Sequence, residues 1–234
     1  MSILPPPSPF RRLLTGGQAV WMLILGGASI DVVDMLAHVG ARCLFIDCER
    51  TVVHIESVTA LARCAKSHGM VALVRSESMR PEVLVRYLDR GIDGIVVPHV
   101  ETVSQLKAIG EVVAYITKGH AEQVFAIAQI ESRAAVENAE ALAADRSVDG
   151  FLIGPNDLSH SLGFAGDTRR LEVATAIDGV VTALQRQGRA WGIPATAATA
   201  AQWVQRGAQF LYCPLEQILN AGYGPLVAST AAPR

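Results

Sequence analysis

The chain has 234 residues, of which 50% are hydrophobic and 18% are charged, and its formal net charge at pH 7 is −2. This composition excludes an intrinsically disordered or collagen-like chain. The small net charge gives no electrostatic reason to expect nucleic acid as a partner.

Eight short apolar runs, each followed by a helix-like segment, alternate along the chain. In chain order they are AVWMLIL from Ala19, RCLFIDCE from Arg42, MVALVRS from Met70, GIVVPHV from Gly94, VFAIAQIE from Val124, GFLIGP from Gly150, AWGIPA from Ala190 and FLYCPL from Phe210. The runs are nearly continuous in apolar residues, as expected for parallel strands that are covered on both faces. Spaced apolar positions between the runs, such as Val58, Leu61 and Ala65, indicate helices.

Eight regular βα units without a linker predict one closed α/β barrel, a (β/α)8 TIM barrel. An open doubly wound sheet is the structural alternative. A dinucleotide-binding sheet of that kind usually has a Gly-x-Gly-x-x-Gly turn after its first strand, and Gly26-Gly27-Ala28 do not match that pattern. We therefore expect residues 1–17 to be an N-terminal extension and residues 18–234 to form the barrel as a single domain.

The cysteine content and the hydropathy of the chain bear on its environment. Cys43, Cys48, Cys64 and Cys213 form no Cys-x-x-Cys pair and are too sparse for a disulfide scaffold, which favours reduced thiols. No run approaches the roughly 18 apolar residues that a membrane span requires, and prolines interrupt the start of the chain before a signal-like stretch develops. We expect a cytoplasmic protein without a membrane partner.

Polar residues that interrupt or close an apolar run are candidate site residues, because reactive side chains lie at the C-terminal ends of barrel strands. In chain order these are Asp47, Glu49, Arg75, His99, Gln129, Glu131, Asn156 and Asp157. We expect all of them at one rim of the barrel.

Glu131 and Asp157 close consecutive strands, and two carboxylates with room for water and a bidentate substrate suit Mg²⁺ or Mn²⁺. A helix N-cap or a surface position is the alternative for each of them. Gln129 beside Glu131, and the Gly154-Pro155 turn before Asp157, favour a metal. The turn through Asn156 can also present backbone N–H groups to a carboxylate, with an ordinary βα turn as the alternative.

Arg75 ends an otherwise apolar strand, where a guanidinium is costly unless it pairs with an anion. A substrate carboxylate or enolate oxygen would supply that anion, and an internal ion pair with Asp89 or Glu49 is the alternative. His99 follows a proline at a strand end and is either catalytic or structural, whereas His160 and the other histidines are interpreted as surface or capping residues.

The ordered stretch AQIESRAAVENAEALAADRSVDGFLIGPNDLSHSLGFAGD, residues 128–167, resembles the HpcH/HpaI aldolases. These are metal-dependent class II pyruvate aldolases related to the citrate lyase β-subunit. The segments FIDCE, LVRS and VVPHV support the likeness in the expected order, and it covers residues 18–220.

The resemblance implies roles for individual residues. Glu131 and Asp157 would bind the metal, Gln129 would lie beside the oxo acid, and Arg75 would hold the keto or enolate oxygen. The substrate carboxylate would be bound by the turn Gly154-Pro155-Asn156-Asp157 through the amides of Asn156 and Asp157. Asp47, Glu49 and Asp89 match acidic positions that support the metal-bound water or the site of a neighbouring protomer.

The implied reaction forms or cleaves a carbon–carbon bond through an enolate derived from pyruvate or oxaloacetate, with a carbonyl or acyl acceptor as the second substrate. The metal and Arg75 would stabilise the enolate oxygen. Lys66, Lys107 and Lys118 lie outside the predicted strand ends, which disfavours an imine mechanism. Members of the family form dimers and higher rings, often trimers of dimers with an exchanged C-terminal helix, so we expect a homo-oligomer.

The chain departs from the family at two places. The family usually has Asp-x-Glu-His after the second strand, with the His as general base, but this chain has Asp47-Cys48-Glu49-Arg50. Arginine is not a base near neutral pH because its pKa is above about 12. His99, a metal-bound water or no group takes over that role, and Arg50 is expected to contact the substrate.

The second departure is a short connection, residues 115–123, where the family carries a long segment. It leaves open which residues close over the substrate and form the acceptor pocket. Three functions remain open at this point: an aldolase, a siderophore-pathway citrate synthase that condenses oxaloacetate with acetyl-CoA, and a catalytically silent oxo-acid-binding protein.

Overall fold

Eight parallel strands form a closed barrel in the computed structural model, which describes residues 6–229. Each strand pairs with the next, and the last strand pairs with the first. The strands are β1 (Val20–Ile24), β2 (Cys43–Asp47), β3 (Val71–Arg75), β4 (Gly94–Val97), β5 (Phe125–Ile130), β6 (Gly150–Ile153), β7 (Ala190–Pro194) and β8 (Phe210–Pro214). The predicted (β/α)8 TIM barrel is confirmed.

Helices connect the strands and surround the barrel. They are α1 (Pro9–Leu14), α2 (Ile30–His38), α3 (Ile55–Ser67), α4 (Pro81–Leu88), α5 (Val103–Ile116), α6 (Arg133–Glu137), α7 (Ala139–Ala144), α8 (Pro155–Ser161), α9 (Leu171–Arg186), α10 (Ala200–Gln205) and α11 (Leu215–Ser229). Local sequence sets several of their starts; Thr102 and Gln105, for example, form a reciprocal capping box at α5 that satisfies otherwise free backbone N–H groups. Within residues 6–229, no helix combines the length and apolarity needed to cross a lipid bilayer.

The strands separate two apolar layers. Inside the barrel, large side chains such as Met22, Phe45, Phe125 and Phe210 fill the interior. A Cβ at Gly192 would collide with Phe210, so a glycine on β7 makes room for the ring on the neighbouring strand. A larger apolar layer lies between the outer face of the strands and the helices, so both faces of the sheet are dry, as the continuous apolar runs indicated.

Helix α1 closes the N-terminal end of the barrel. Phe10 has no exposed surface, and its ring packs edge-on against Phe125 and Phe210 at centroid distances of 5.0 and 5.8 Å. The Ser8 hydroxyl donates to the backbone carbonyl of Asp93 over 2.6 Å. This part of the predicted extension therefore completes the barrel core, while residues 1–5 and 230–234 lie outside the described residues.

Helix α11 projects from the barrel without covering it. Its residues from Glu216 to Ser229 are exposed, including the large apolar side chains of Leu219, Tyr223 and Leu226. Beside it, the outer face of β1 is open along a groove of about 420 Å³ that includes Trp21 and Leu23. The groove lies where the eighth helix of a barrel usually packs.

Candidate active site at the C-terminal rim of the barrel

A buried ion pair joins the ends of two neighbouring strands. Asp47 ends β2 and Arg75 ends β3, and the two residues are paired in the parallel register. Arg75 donates from Nε to Asp47 Oδ1 over 2.9 Å and from Nη2 to Oδ2 over 2.6 Å. The residues are only 3% and 5% exposed, so this two-pronged contact fixes the plane of the guanidinium.

The Asp47 carboxylate also shapes the turn that follows β2. Its Oδ1 accepts hydrogen bonds from the backbone N–H groups of Glu49 and Arg50 over 3.1 and 3.2 Å. This turn directs the Glu49 side chain back over the barrel, where its Oε2 lies 3.1 Å from Arg75 Nε. Burial alone would lower the pKa of Arg75, but Asp47 and Glu49 raise it, so the guanidinium stays charged.

The sequence left open an internal ion pair of Arg75 with Asp89 or Glu49, and the structure contains the pair with Glu49. The main partner is Asp47, which was assigned a different role, and Asp89 is not among the residues paired with it in the described chain. Two carboxylates do not exhaust the five N–H donors of a guanidinium. The Nη1 group makes only a long contact of 3.4 Å with Gln129 Oε1, so donors remain for a bound oxyanion.

Glu131, directly after β5, has a fully buried side chain. Its Oε1 accepts a hydrogen bond from the backbone N–H of His99 over 2.8 Å, and its Oε2 accepts one from the Gln129 side-chain amide. Burial raises the pKa of Glu131, which the hydrogen bond from His99 only partly opposes. An ionised carboxylate that is buried in this way raises the free energy of the folded protein unless a cation lies nearby.

The close approach of the Glu131 side chain requires a glycine at position 154. A Cβ on Gly154 would lie 2.8 Å from Glu131 Oε2 and 2.9 Å from Glu131 Cβ, closer than real Cβ atoms approach. The glycine precedes α8, whose first turn contains Pro155, Asn156 and Asp157. The end of β6 and the start of α8 are thus brought against the Glu131 side chain.

Asp157 pairs with Arg50 across the mouth of the barrel. Arg50 Nη2 donates to Asp157 Oδ1, and this contact raises the pKa of Arg50. Both side chains are partly exposed, at 53% for Arg50 and 27% for Asp157. The pair therefore lies at the outer edge of the site, where a ligand could exchange with it.

His99 lies between two carboxylates. Its Nδ1 is 3.0 Å from Glu131 Oε1, and its Nε2 is 3.2 Å from Glu49 Oε1. The backbone of His99 has φ 57°, a left-handed conformation that is uncommon for a residue other than glycine and that often marks a functional position. Potential ligand atoms of Glu49, His99 and Glu131 all lie within 4.8 Å of one another.

The charges at this rim match a divalent cation. By formal charge, four carboxylates, those of Asp47, Glu49, Glu131 and Asp157, face two guanidinium groups, those of Arg50 and Arg75, which is an excess of two negative charges apart from His99. In addition, Glu49 Oε2 is buried and accepts no hydrogen bond from the described residues, although it lies within ion-pair distance of Arg75 Nε. Carboxylate oxygens with one imidazole form a ligand set that divalent metals accept, so these residues fit a metal.

Two adjoining cavities open beside this cluster. One, of about 460 Å³, is lined by residues that include Arg75, Gln129, Asp157 and His160, and the other, of about 620 Å³, by residues that include Glu49 and Arg75. Both are large enough for a small organic acid. Arg75 faces both cavities, so a ligand in either one could contact its free donors.

Two lining residues were not anticipated from the sequence. Tyr212 on β8 lines both cavities, and burial raises its pKa to about 12, so it is an uncharged phenol at neutral pH. The only signal for it was one polar residue in the run FLYCPL. His160, interpreted as a surface or capping residue, is exposed on α8 and lines the smaller cavity.

Asp89 lies apart from the other predicted site residues. It caps the C-terminal end of α4, which by the barrel topology is the end opposite the rim, and its side chain is exposed. Within one protomer it therefore cannot join the cluster. The short connection of residues 115–123 is also at that opposite end, where the Glu122 carbonyl accepts a hydrogen bond of 2.7 Å from Ser8 N–H, so its shortening does not open the rim.

Comparisons with known proteins identify the family and agree with the barrel fold. The sequence profile of the family described as HpcH/HpaI aldolase/citrate lyase matches residues 21–213. A hydroxypyruvate/pyruvate aldolase from Deinococcus radiodurans is 28% identical over 246 residues, covering 94% of this chain and 88% of that protein. A solved HpcH/HpaI aldolase/citrate lyase family protein from Burkholderia cenocepacia J2315 has a TM-score of 0.87 at 26% identity, covering 97% of this chain and 100% of that one. Citrate synthase SbnG has a TM-score of 0.84 at 21% identity, with 94% and 96% covered, which shows a shared fold.

Proposed function

This chain belongs to the HpcH/HpaI aldolase/citrate lyase family, and we propose that it is a divalent-metal-dependent lyase that forms or cleaves a carbon–carbon bond through the enolate of pyruvate or oxaloacetate. The observation that carries the proposal is the buried Glu131 carboxylate, whose potential ligand atoms cluster with those of Glu49 and His99 beside a ligand-sized cavity lined by Arg75 and Gln129. Named relatives that act on hydroxypyruvate, pyruvate and other oxo acids support the substrate class.

The ligands that we propose for the metal are Glu131 and Asp157, with Mg²⁺ or Mn²⁺ as the preferred ion. Glu49 and His99 are close enough to contribute to the same site. Asp157 would have to leave its contact with Arg50, and because both side chains are partly exposed, the change is small in energy. A bound divalent ion would act as a Lewis acid on the oxo group of the substrate.

The protein's own donors would hold the substrate in place. Arg75 is already oriented by Asp47, so its free N–H groups can receive the charge that develops on the enolate oxygen without reorganising. Gln129 would lie beside the oxo acid, and the first turn of α8, with Asn156 and Asp157, would take the substrate carboxylate. The enolate carbon would then attack, or be released from, a carbonyl acceptor.

We propose that His99 exchanges the proton that the reaction requires. It replaces the missing histidine of the Asp-x-Glu-His pattern, because Arg50 cannot act as a base. Its imidazole is 57% exposed, and its two nitrogens contact the carboxylates of Glu131 and Glu49, so a proton could pass between the ring, these carboxylates and solvent. Asp89 could support the site only from another copy of the chain.

A homo-oligomer is the partner arrangement that we propose. The exposed apolar face of α11, with Leu219, Tyr223 and Leu226, is complementary in character to the open groove along β1. Packing α11 from one copy into the groove of another would cover both surfaces. This follows the exchange of C-terminal helices implied by the resemblance.

The function is tested by solvent exchange of the methyl protons of pyruvate, followed by proton NMR in D₂O with Mg²⁺ or Mn²⁺ added to metal-free protein. We expect exchange that depends on both protein and metal, because enolate formation is the step shared by all reactions of this class. Binding of pyruvate without exchange above background would instead support the catalytically silent alternative.

A second candidate, condensation of oxaloacetate with an acyl acceptor such as acetyl-CoA, is favoured by one observation. Arg50 stands half-exposed at the mouth of the site, where its guanidinium could bind the second carboxylate of oxaloacetate. Citrate formation from oxaloacetate and acetyl-CoA, without cleavage of any hydroxy-oxo acid, would favour this candidate over an aldolase.

A further inference from the structure

A second cluster of potential metal ligands lies between α2 and α3, outside the site described above. Asp34 Oδ1 is 3.1 Å from Cys64 Sγ and 2.8 Å from His68 Nε2, and ligand atoms of the three residues all lie within 4.8 Å of one another. We infer that this cluster is a zinc site. Its proposed ligands are the Asp34 carboxylate, the Cys64 thiolate and the His68 imidazole.

The spacing of these residues places them on facing sides of two packed helices. Cys64 lies in the last turn of α3 and His68 caps that helix four residues later, while Asp34 and His38 are four residues apart on α2, so each pair lies on one side of its helix. The rings of His38 and His68 have centroids 6.2 Å apart. His38 is therefore a candidate fourth ligand, although it is not among the three residues whose ligand atoms lie within 4.8 Å of one another.

The hydrogen bonding of His38 suits that role. Its Nδ1 contacts the backbone carbonyl of Asp34 over 2.7 Å. A carbonyl only accepts, so Nδ1 is the donor, and in the neutral ring this leaves the lone pair on Nε2. Metal-binding histidines are commonly oriented in this way, by donating their other N–H to a carbonyl or carboxylate.

The chemistry of the cluster favours zinc over the ions proposed for the rim. Thiolate and imidazole ligands suit Zn²⁺, whereas Mg²⁺ and Ca²⁺ prefer oxygen. Ligand atoms around a tetrahedral Zn²⁺ are separated by roughly 3.3–3.8 Å, so the hydrogen-bonded atoms need to move apart by only a few tenths of an ångström. The side chains of His68 and Asp34 are 34% and 43% exposed, which leaves a path for the ion.

The site would be independent of the reaction. The cluster lies toward the C-terminal ends of α2 and α3, which the topology places at the end of the barrel opposite the catalytic rim. A bound ion would join α2 to α3 through side chains that otherwise make only hydrogen bonds. We therefore expect zinc to stabilise the protein without being required for turnover.

Cobalt is the probe that separates the two sites. Among the described residues, the potential ligands clustered at the rim are carboxylates and an imidazole, so only the second cluster can give a thiolate-to-Co²⁺ absorption band. Metal-free full-length protein is titrated with Co²⁺ and then with Zn²⁺. We expect one equivalent of Co²⁺ to give the thiolate band and Zn²⁺ to displace it.

Variants assign the band to the cluster. Cys64→Ser should abolish it, and His68→Gln should weaken Zn²⁺ binding at least 10-fold, while Ser67→Ala, an exposed neighbour that offers no ligand in the cluster, and Glu131→Gln at the rim should keep the band. Zn²⁺ should raise the thermal midpoint of the wild-type chain by more than that of Cys64→Ser. Absence of a thiolate band in the wild type, or an equal band in Cys64→Ser, overturns the proposal and leaves the cluster as a hydrogen-bonded group around Asp34.

Discussion

Glu131 has a fully buried side chain, and this burial raises the pKa of its carboxyl group. Its hydrogen bonds come from His99 N–H and the Gln129 amide, so it carries no full positive partner from the described residues within hydrogen-bond distance except a protonated His99. Such a group is expensive in the folded protein unless it serves to bind a cation.

We expect Glu131→Gln to reduce metal-dependent proton exchange in pyruvate at least 100-fold, because the amide keeps the size of the side chain but loses the charge. Mn²⁺ affinity, measured by electron paramagnetic resonance, should fall in parallel. Glu137→Gln, an exposed glutamate on α6, is the matched control and should behave as wild type. Full exchange activity in Glu131→Gln would reject the metal assignment.

Arg50 occupies the position of the usual base and contacts Asp157. We expect Arg50→His to increase oxaloacetate decarboxylation or aldol cleavage about 10-fold or more, because an imidazole with a pKa near 6.5 can exchange protons near neutral pH. Arg50→Gln removes the charge without adding a base and serves as the control. Equal rates in both variants would show that the missing base does not limit the natural protein.

His99 has two possible roles, and one variant distinguishes them. If it exchanges the proton, His99→Gln should lower the rate of pyruvate exchange about 100-fold while Mn²⁺ affinity stays within about 3-fold of wild type. If it is mainly a ligand, the affinity should fall with the rate. The paired measurement of rate and Mn²⁺ affinity decides between them.

At the scale of the element, α1 belongs to the barrel core, although residues 1–17 were predicted to be an N-terminal extension. Phe10 fills the N-terminal end of the interior against Phe125 and Phe210. We expect Phe10→Ala to lower the free energy of unfolding by about 3–5 kcal/mol, because it leaves a cavity in a close-packed interior. Urea denaturation at constant protein concentration measures this.

Phe10→Leu should lower the free energy of unfolding clearly less than Phe10→Ala does, because the leucine side chain fills much of the cavity that alanine leaves. Arg12→Ala, at an exposed position of the same helix, should change the unfolding free energy by about 0.5 kcal/mol or less. A small effect of Phe10→Ala would mean that α1 is not needed to seal the barrel.

At the scale of the whole molecule, α11 exposes an apolar face that a monomer does not cover. We expect the wild-type chain to exceed its monomer mass of 24.9 kDa in sedimentation experiments. Leu219→Asp should shift the distribution toward monomer, because a buried aspartate without a partner is costly at an interface.

Asn220→Asp is the matched control for this prediction, because it adds the same charge at the neighbouring position of α11 without removing an apolar side chain. It should leave the association state unchanged. A monomeric wild-type protein, or equal masses for the two variants, would contradict the proposed packing of α11 into the groove along β1.

The number of strands, their order and the rim on which the polar residues meet were readable from the sequence. Dry strands in a parallel barrel need unbroken apolar runs, and a polar residue such as Glu131 or Arg75 is tolerated where the run ends. The ordered residues around Gly154 and Asp157 were enough to indicate the family. These features depend on residues that are close together in the chain, so the sequence pattern alone can indicate them.

The partners of each polar side chain were decided only by the tertiary structure. Closure of the barrel brings Asp47 beside Arg75 and Tyr212 into the cavities, and it sets His99 between Glu49 and Glu131. Each contact joins residues that are distant in the chain, and strand register and side-chain packing together determine it. Asp89 is a further example, because it caps the C-terminal end of α4 and therefore lies at the end of the barrel opposite the catalytic rim. Its spacing from the other acidic residues in the sequence did not reveal this separation.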